Sequence, residues 1–178
     1  FKWLEGFIDI THEKMNWDKR CGIETDGIIV PGLNGISAPY WTGEFETQFF
    51  KLDKKSDPNK IVRAGMESIG FLVHDICKII KKEAKIELSD IVASGGSSRS
   101  SLLQFIADML GTDVATTSGK DMTALGVARL VAHSAFGTPL GSVTERDEKF
   151  HPVMTAKVRD KKIFAWHDAL RKLSILTN

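Results

Sequence analysis

The sequence predicts a mixed α/β domain with parallel strands, and two observations carry that prediction. A short apolar segment, a glycine and an amphipathic helix follow one another twice, at 90–111 and at 113–136. A strand, a helix and a second strand in this order are typically joined as a right-handed crossover between parallel strands. The 178 residues, 42% of them hydrophobic, suffice for one domain, or one domain with an appendage, without disulfides or metal.

The first 57 residues carry weaker signals. A helix is predicted at the start from an apolar side made of Trp3, Leu4, Phe7 and Ile8. Residues 9–27 are then polar and broken by glycines, and Ile28–Val30 is predicted to be a short buried strand that stops at Pro31. The chain begins with Phe inside a predicted helix, so we expect it to be a piece of a longer protein.

A long helix is predicted from Pro58. Asp57 is a favourable N-cap, proline suits the first helical position, and Lys78, Lys81 and Lys82 lie near the end, where the helix dipole favours cations. Apolar residues recur at alternating spacings of four and three: Val62, Met66, Ile69, Val73, Ile76 and Ile80.

The two strand–helix units follow. Strands are predicted at 90–94 and 113–117, with helices that end at Gly111 and near Phe136, and a last helix at about 163–176. We expect all 178 residues to form one unit, with its core at about 58–136.

Composition and motifs exclude several classes of function. A formal charge of +1 argues against a nucleic-acid binder, and no segment is apolar for long enough to span a membrane. The two cysteines are too few for a disulfide framework, which favours a reducing, cytoplasmic setting. No histidine pair has metal-ligand spacing, and neither a P-loop nor a GxSxG elbow occurs, so a hydrolase built on Ser97 or Ser98 is disfavoured.

The turn after the first predicted parallel strand is the main candidate site. Gly95 and Gly96 permit a ligand to approach the backbone, and the helix that follows presents unpaired N–H groups. Gly95, Gly96 and Ser100 are therefore candidates for holding a nucleotide or another polar small molecule at the carboxyl ends of the strands. The alternative is a tight turn with Ser97 or Ser98 as the helix cap.

Three other features have mainly structural interpretations. Gly126 lies inside a predicted helix, which indicates close packing against a neighbour. His74 and His133 lie in apolar helices, where half-buried, hydrogen-bonded histidines are expected. Tyr40 and Trp41 are expected to anchor their loop on the core rather than to form a binding platform.

Four segments together resemble the FGGY family of carbohydrate kinases. They are GIIVPGLNGISAPYW, IVASGGSSRSSLLQFIADMLGTDV, Thr123–Ala128 (TALGVA) and FHPVMTAKVRDKKIFAWHDALRKL. Their order and spacing agree with the family over nearly the whole chain, and Ala38–Pro39–Tyr40–Trp41 favours its glycerol branch.

The resemblance implies part of a ribonuclease H-like domain of the actin-like ATPase fold. Such kinases transfer the γ-phosphoryl of ATP, with Mg²⁺, to a polyol hydroxyl by means of an aspartate base. On matching positions Gly96 would line the adenine-nucleotide pocket beside Gly95. Ser100 would occupy the position of a nucleotide-contacting asparagine of the family, and Lys2 would occupy the position of a nucleotide-contacting glutamine.

The resemblance also implies what the chain lacks. It begins about two thirds of the way along such a kinase, so the general base, the magnesium ligands and the polyol pocket lie elsewhere. We expect no catalytic or metal-binding residue here and no activity from the chain alone. The missing kinase domain, or a second copy of the chain, is the expected protein partner. Because Ser94 replaces the family's aspartate, a non-catalytic nucleotide-binding or protein-interaction module is the alternative.

Overall fold

A computed structural model describes residues 2–11, 14, 16–32, 34–53, 55–89, 91–95, 98–117, 121–139 and 146–176. Its helices are α1 (Lys2–Ile8), α2 (Trp17–Cys21), α3 (Pro58–Ala84), α4 (Ser100–Leu110), α5 (Met122–Phe136) and α6 (Ala156–Lys172). Its strands are β1 (Ile28–Val30), β2 (Gln48–Phe50), β3 (Ile91–Ala93), β4 (Val114–Thr116) and β5 (Lys149–Phe150).

The N-terminal part forms a small layer on α3. β1 is fully buried, as predicted, and pairs antiparallel with β2 so that Ile29 lies opposite Phe49. On the outer side of this pair, Phe7 of α1 stacks on Phe49 with ring centroids 4.5 Å apart. The sequence analysis predicted neither β2 nor the five-residue helix α2.

The predicted long helix α3 is confirmed. In its first half, residues outside the predicted apolar stripe are buried as well. The Asp57 carboxylate caps it by accepting a hydrogen bond from the Asn59 backbone N–H at 2.8 Å. Buried residues of this half lie on more than one face, because α1, α2, β1 and α4 all pack around it. The predicted stripe ends early: Ile80 is 42% exposed.

The predicted parallel pair is present. β3 pairs with β4 in parallel, with Val92 opposite Ala115, and α4 provides the crossover. β5 adds an antiparallel strand to the other edge of β4, so the order is β3-β4-β5. Among the described residues β3 has a neighbour on one side only.

Aromatic packing between α3, α4 and α6 forms the centre of the core. The ring of Phe71 on α3 lies edge-on to Phe105 of α4 at 5.4 Å and stacks on Trp166 of α6 at 5.3 Å. The last helix begins at Ala156, seven residues before the predicted start at 163, and ends at Lys172 rather than 176. Buried side chains also lie outside 58–136, with Leu4, Ile29 and Trp166 among them.

Helix α5 has no buried residue, although it is rich in apolar side chains. Leu125, Val127, Leu130, Val131 and Phe136 are 40–82% exposed. The expected packing reason for Gly126 is therefore wrong within this chain: no atom lies within 4 Å of a Cβ added there. A helix that is apolar around its circumference is typical of one covered on several sides.

Candidate functional site

The glycine turn lies at the carboxyl end of β3 and is open to solvent. Ala93 is the last strand residue, and Ser94 and Gly95 are both exposed. Gly95 adopts φ +101°, a conformation that favours glycine, and no atom lies within 4 Å of a Cβ added there. Its carbonyl accepts a hydrogen bond from the Ser98 N–H at 3.1 Å, which closes the turn. A ligand could therefore approach this backbone closely.

Helix α4 starts two residues after that turn closes, and Ser100 is its first residue. The Ser100 side chain is exposed. The expected cap at Ser98 is wrong, because Arg99 occupies the N-cap position and its side chain makes no capping bond. The first backbone N–H groups of α4 are thus left without a side-chain cap. Gly96 and Ser97 lie outside the described residues.

The carboxyl ends of both parallel strands lie at one edge of the sheet. Because β3 and β4 are parallel, their carboxyl ends, at Gly95 and Thr117, lie at the same edge. Helix α5 follows β4 in the chain, and the Asp121 carboxylate at its start accepts a hydrogen bond from the Ala124 N–H at 2.9 Å. The rim thus combines an open glycine turn with the positive dipole end of α4.

The structure describes no contact between Lys2 and this rim. It begins α1, but its side chain lies outside the described residues. Leu4 of the same helix is buried against Gly65 of α3, and Trp3 contacts Phe49 of β2. The structure therefore places Gly95 and Ser100 together and leaves the role of Lys2 a prediction.

A separate cavity lies at the other end of β3. It has a volume of about 700 Å³ and is bounded by the second half of α3, the start of β3 at Ile91 and the residues after α4, Gly111 and Thr112. Lysines of α3 line it, Lys78, Lys81 and Lys82, and the exposed Glu87 pairs with one of them. It is separate from the glycine turn.

A buried polar cluster centred on Asp75 was not predicted from the sequence. One carboxylate oxygen of Asp75 accepts hydrogen bonds from the Tyr40 hydroxyl and the Trp166 indole N–H, both at 2.7 Å. The other contacts His167 Nε2 at 2.9 Å and His74 Nδ1 at 3.0 Å. The cluster ties the Tyr40 loop and α6 to α3, and the expected half-buried role of His74 is confirmed. His133 is exposed instead, and its ring contacts the Thr138 carbonyl at 2.9 Å.

The hydrogen bonds of this cluster shift the pKa values of Asp75 and Tyr40. Burial by itself would raise the pKa of Asp75, but the bonds from His167, His74, Tyr40 and Trp166 outweigh burial and lower that pKa well below its ordinary value. Burial, together with the bond to the Asp75 carboxylate, raises the pKa of Tyr40. Asp75 is therefore an anion fixed in the core.

A second buried carboxylate, Glu67, lies about two helical turns earlier on α3. It is 1% exposed and binds Arg63 Nε at 2.7 Å and Lys162 Nζ at 3.0 Å. Both cations also lie over the Phe105 ring, at 5.5 and 5.9 Å from its centroid. Like the Asp75 cluster, this network joins α6 to α3 inside the core.

Trp41, the neighbour of Tyr40, is presented to solvent. It is 76% exposed, and its backbone adopts φ +52°, in the left-handed region that bulky residues rarely occupy. The expectation that Trp41 anchors its loop on the core is therefore wrong, and only Tyr40 does so.

No group of three or more His, Cys, Asp or Glu side chains is placed to hold a metal ion in the described ranges. Among the helices that the structure describes, none is long and apolar enough to cross a membrane.

Comparison with known proteins decides the family. The model of the C-terminal domain of the FGGY family of carbohydrate kinases matches residues 14–135. The chain belongs to this family. It is 31% identical to the glycerol kinase of Natranaerobius thermophilus over 180 residues, and 32% identical to that of Clostridium botulinum over 154 residues. These alignments cover 96% and 81% of this chain but only 36% and 30% of the relatives, so the FGGY chain spans about a third of their length.

Solved structures confirm the predicted fold. Glycerol kinase of Plasmodium falciparum, solved with ADP, superposes on 99% of the FGGY chain with a TM-score of 0.78 and 27% identity, although only 36% of that kinase is covered. Xylulose kinase of Lactobacillus acidophilus matches with a TM-score of 0.79 at 20% identity, which shows the fold alone. The domain is the mixed α/β C-terminal domain of the actin-like ATPase fold of sugar kinases.

Proposed function

We propose that this FGGY chain holds the adenine nucleotide in an ATP-dependent kinase of the glycerol type. The observation that carries the proposal is the open glycine turn at the carboxyl rim, where Gly95 leaves space above its backbone beside the uncapped start of α4. The likeness to a glycerol kinase that was solved with ADP supports it.

Each predicted contact residue has a distinct part in holding the nucleotide. Gly95 and Gly96 let the nucleotide lie directly on the main chain, and the exposed Ser100 hydroxyl supplies a polar contact. Lys2 is proposed as a further contact near the start of the chain. Bound MgATP supplies the phosphoryl group that is transferred.

The chemical step belongs to polypeptide outside this chain. We propose that the aspartate base, the magnesium ligands and the polyol pocket of such a kinase lie outside this chain, which spans about a third of its relatives' length. The exposed apolar side chains of α5 and the one-sided pairing of β3 support the proposal that a further part of the kinase covers them. We place the intact enzyme in the cytoplasm, where it converts glycerol and ATP into glycerol 3-phosphate and ADP.

Calorimetric titration of the chain with ADP tests the proposal. Gly95→Ala is expected to weaken binding at least about tenfold, because the added Cβ fills the space over the turn and strains φ +101°. Gly137→Ala is the matched control, since Gly137 also has a positive φ and open space but lies at the far end of α5. Equal affinity in both variants would contradict the proposed site.

A non-catalytic module derived from the kinase scaffold is the second candidate. It is favoured by Ser94, exposed just before the glycines, where the family has an aspartate. A folded chain that shows no heat of binding and no spectral change at millimolar ADP would support this candidate and refute the first.

A further inference from the structure

The cavity at the start of β3, called the α3–β3 cavity below, has an apolar wall. Its volume of about 700 Å³ lies within the range of small-molecule sites, about 300–1,000 Å³. Three half-buried apolar side chains form the wall: Leu88, Ile91 and Leu110. Cys77 of α3 lies beside them, and burial raises the pKa of its thiol, so the thiol is uncharged and behaves as an apolar group.

Three exposed lysines of α3 also line the cavity, and they give it an excess of positive charge. Lys81 pairs with Glu87, with 2.6 Å between Nζ and Oε2. Lys82 lies 3.8 Å from a carboxylate oxygen of its neighbour Glu83, which is 70% exposed at its side chain. Lys78 has no ion pair with the described part of the chain. Among the described lining residues Glu87 is the one carboxylate, so an anion would be attracted here.

The helix dipole accounts for only part of this charge. It favours cations in the last turn of α3, where Lys81 and Lys82 lie. Lys78 lies about one turn earlier, outside the reach of that effect. Because His74, Lys78 and Lys82 are spaced by four residues, they follow one face of the helix, and all three line the cavity. This face of α3 is therefore a polar stripe beside an apolar wall.

His74 adds a ring of fixed orientation to this stripe. Its Nδ1 donates a hydrogen bond to the Asp75 carboxylate at 3.0 Å, so Nε2 is the ring nitrogen that is left for a ligand. Ser89, before β3, and Thr112, after α4, add hydroxyl groups to the lining. Polar groups from three segments thus meet around an apolar wall, which is the usual composition of a small-molecule site.

We propose that the α3–β3 cavity binds a small amphiphilic anion, in which one acid group is attached to an apolar body. The acid group lies between Lys78 and Lys82, and the body packs against the apolar wall. An inorganic anion would leave that wall in water, and a purely apolar ligand would gain nothing from the lysines. This site is independent of the proposed nucleotide site, which lies at the opposite end of β3.

Amide chemical shifts recorded while phenylbutyrate is added to the isotope-labelled chain test the site. We expect saturable shifts at Gly111 and Thr112, which line the cavity, and none at Gly95. Phenylbutyramide has the same apolar body without the charge. We expect it to bind about fivefold more weakly, because exposed cations each contribute modestly to the binding of an anion.

The variant Lys78→Met/Lys82→Met tests whether the lysines recognise the acid group. We expect it to abolish the preference for phenylbutyrate over phenylbutyramide while the amide still binds, since the apolar wall is unchanged. Lys157→Met is the matched control, because Lys157 is an exposed lysine of α6 outside the cavity, and it should keep the preference. Far-ultraviolet circular dichroism checks that each variant keeps its helices.

Three results would overturn the anion site. They are the absence of shifts at Gly111 and Thr112, equal affinity for the acid and the amide, and a preference for the acid that survives Lys78→Met/Lys82→Met. None of them depends on whether the chain binds ADP at the glycine turn. Displacement of phenylbutyrate by ADP would also overturn the proposal, because it would assign the cavity to the nucleotide instead.

Discussion

At the scale of single residues, Asp75 is a buried carboxylate that accepts several hydrogen bonds in the core. Its side chain is almost fully buried, and its two oxygens contact four polar side chains. An asparagine offers only one oxygen for the Tyr40 hydroxyl and the Trp166 indole N–H, and its NH2 group then faces the ring nitrogens of His74 and His167. It also carries no charge, so the hydrogen bonds to an anion are lost.

Asp75→Asn is expected to lower the free energy of unfolding by about 2–3 kcal/mol at neutral pH, the usual worth of buried hydrogen bonds to a charged group. Urea unfolding followed by tryptophan fluorescence measures this change. Asp160→Asn, an exposed position on α6, is the control and is expected to change stability by less than about 0.5 kcal/mol. A loss in Asp75→Asn no larger than the control would contradict the role of the carboxylate.

The same carboxylate predicts a pH dependence. The pKa of Asp75 in the folded chain lies below its value of about 3.9 in the unfolded chain, so the ionised form favours folding. Its stabilisation is complete above about pH 5 and is lost as the pH falls through the folded-state pKa. The difference in stability between the wild type and Asp75→Asn should accordingly shrink below about pH 4. Unfolding curves between pH 3 and 7 measure this difference in stability. A difference that grows as the pH falls would contradict the predicted direction of the pH dependence.

At the scale of elements, α4 packs tightly on α3 at Gly70. A Cβ added there would overlap the ring of Phe105, which is itself buried. The Phe105 ring also contacts Phe71 of α3. The two helices can pack this closely only because residue 70 has no side chain.

Gly70→Ala is expected to destabilise the chain by about 1–3 kcal/mol, because the core must shift to admit the methyl group. Gly126→Ala is the matched control: Gly126 also lies inside a helix, but an added Cβ meets nothing within 4 Å. Helix propensity then predicts a gain of about 0.5–1 kcal/mol. Thermal unfolding of both variants measures these changes, and a similar shift in both would contradict the packing at Gly70.

Elements with local signals could be predicted from the sequence, whereas elements made by distant pairing could not. Asp57, Pro58 and Gly111 mark helix ends within a few residues, so α3 and α4 were found with nearly correct bounds. β2 spans three residues and exists because β1, twenty residues earlier in the chain, pairs with it. The apolar composition of α5 predicted a packed helix, but no covering surface occurs in the described part of the chain.

At the scale of the whole molecule, the chain carries the fold of the C-terminal FGGY domain over about a third of the length of its relatives. The purified chain is expected to form no glycerol 3-phosphate from glycerol and MgATP in a coupled assay. Turnover above background, retained after removal of trace kinases, would show that the chemical groups are present after all.

The candidate site could be predicted only in part. The position of Gly95 after a strand and that of Ser100 at the start of a helix could be predicted, because glycines and apolar spacing mark the ends of these elements. Their contact with a nucleotide stays a prediction. The Asp75 cluster could not be found, because its partners Tyr40 and Trp166 lie 35 and 91 residues away in sequence. The sequence around Trp41 does not indicate that its side chain is exposed, because hydrogen bonds within the folded turn set its position.

Amide chemical shifts recorded while ADP is added to the isotope-labelled chain test most directly whether nucleotide lies on the glycine turn. The amides of Gly95 and Ser100 are expected to move with a saturable dependence on ADP, while those of Gly111 and Thr112, beside the large cavity at the opposite end of β3, stay in place. Shifts confined to the cavity residues, or none at saturating ADP, would contradict the proposed role of the chain.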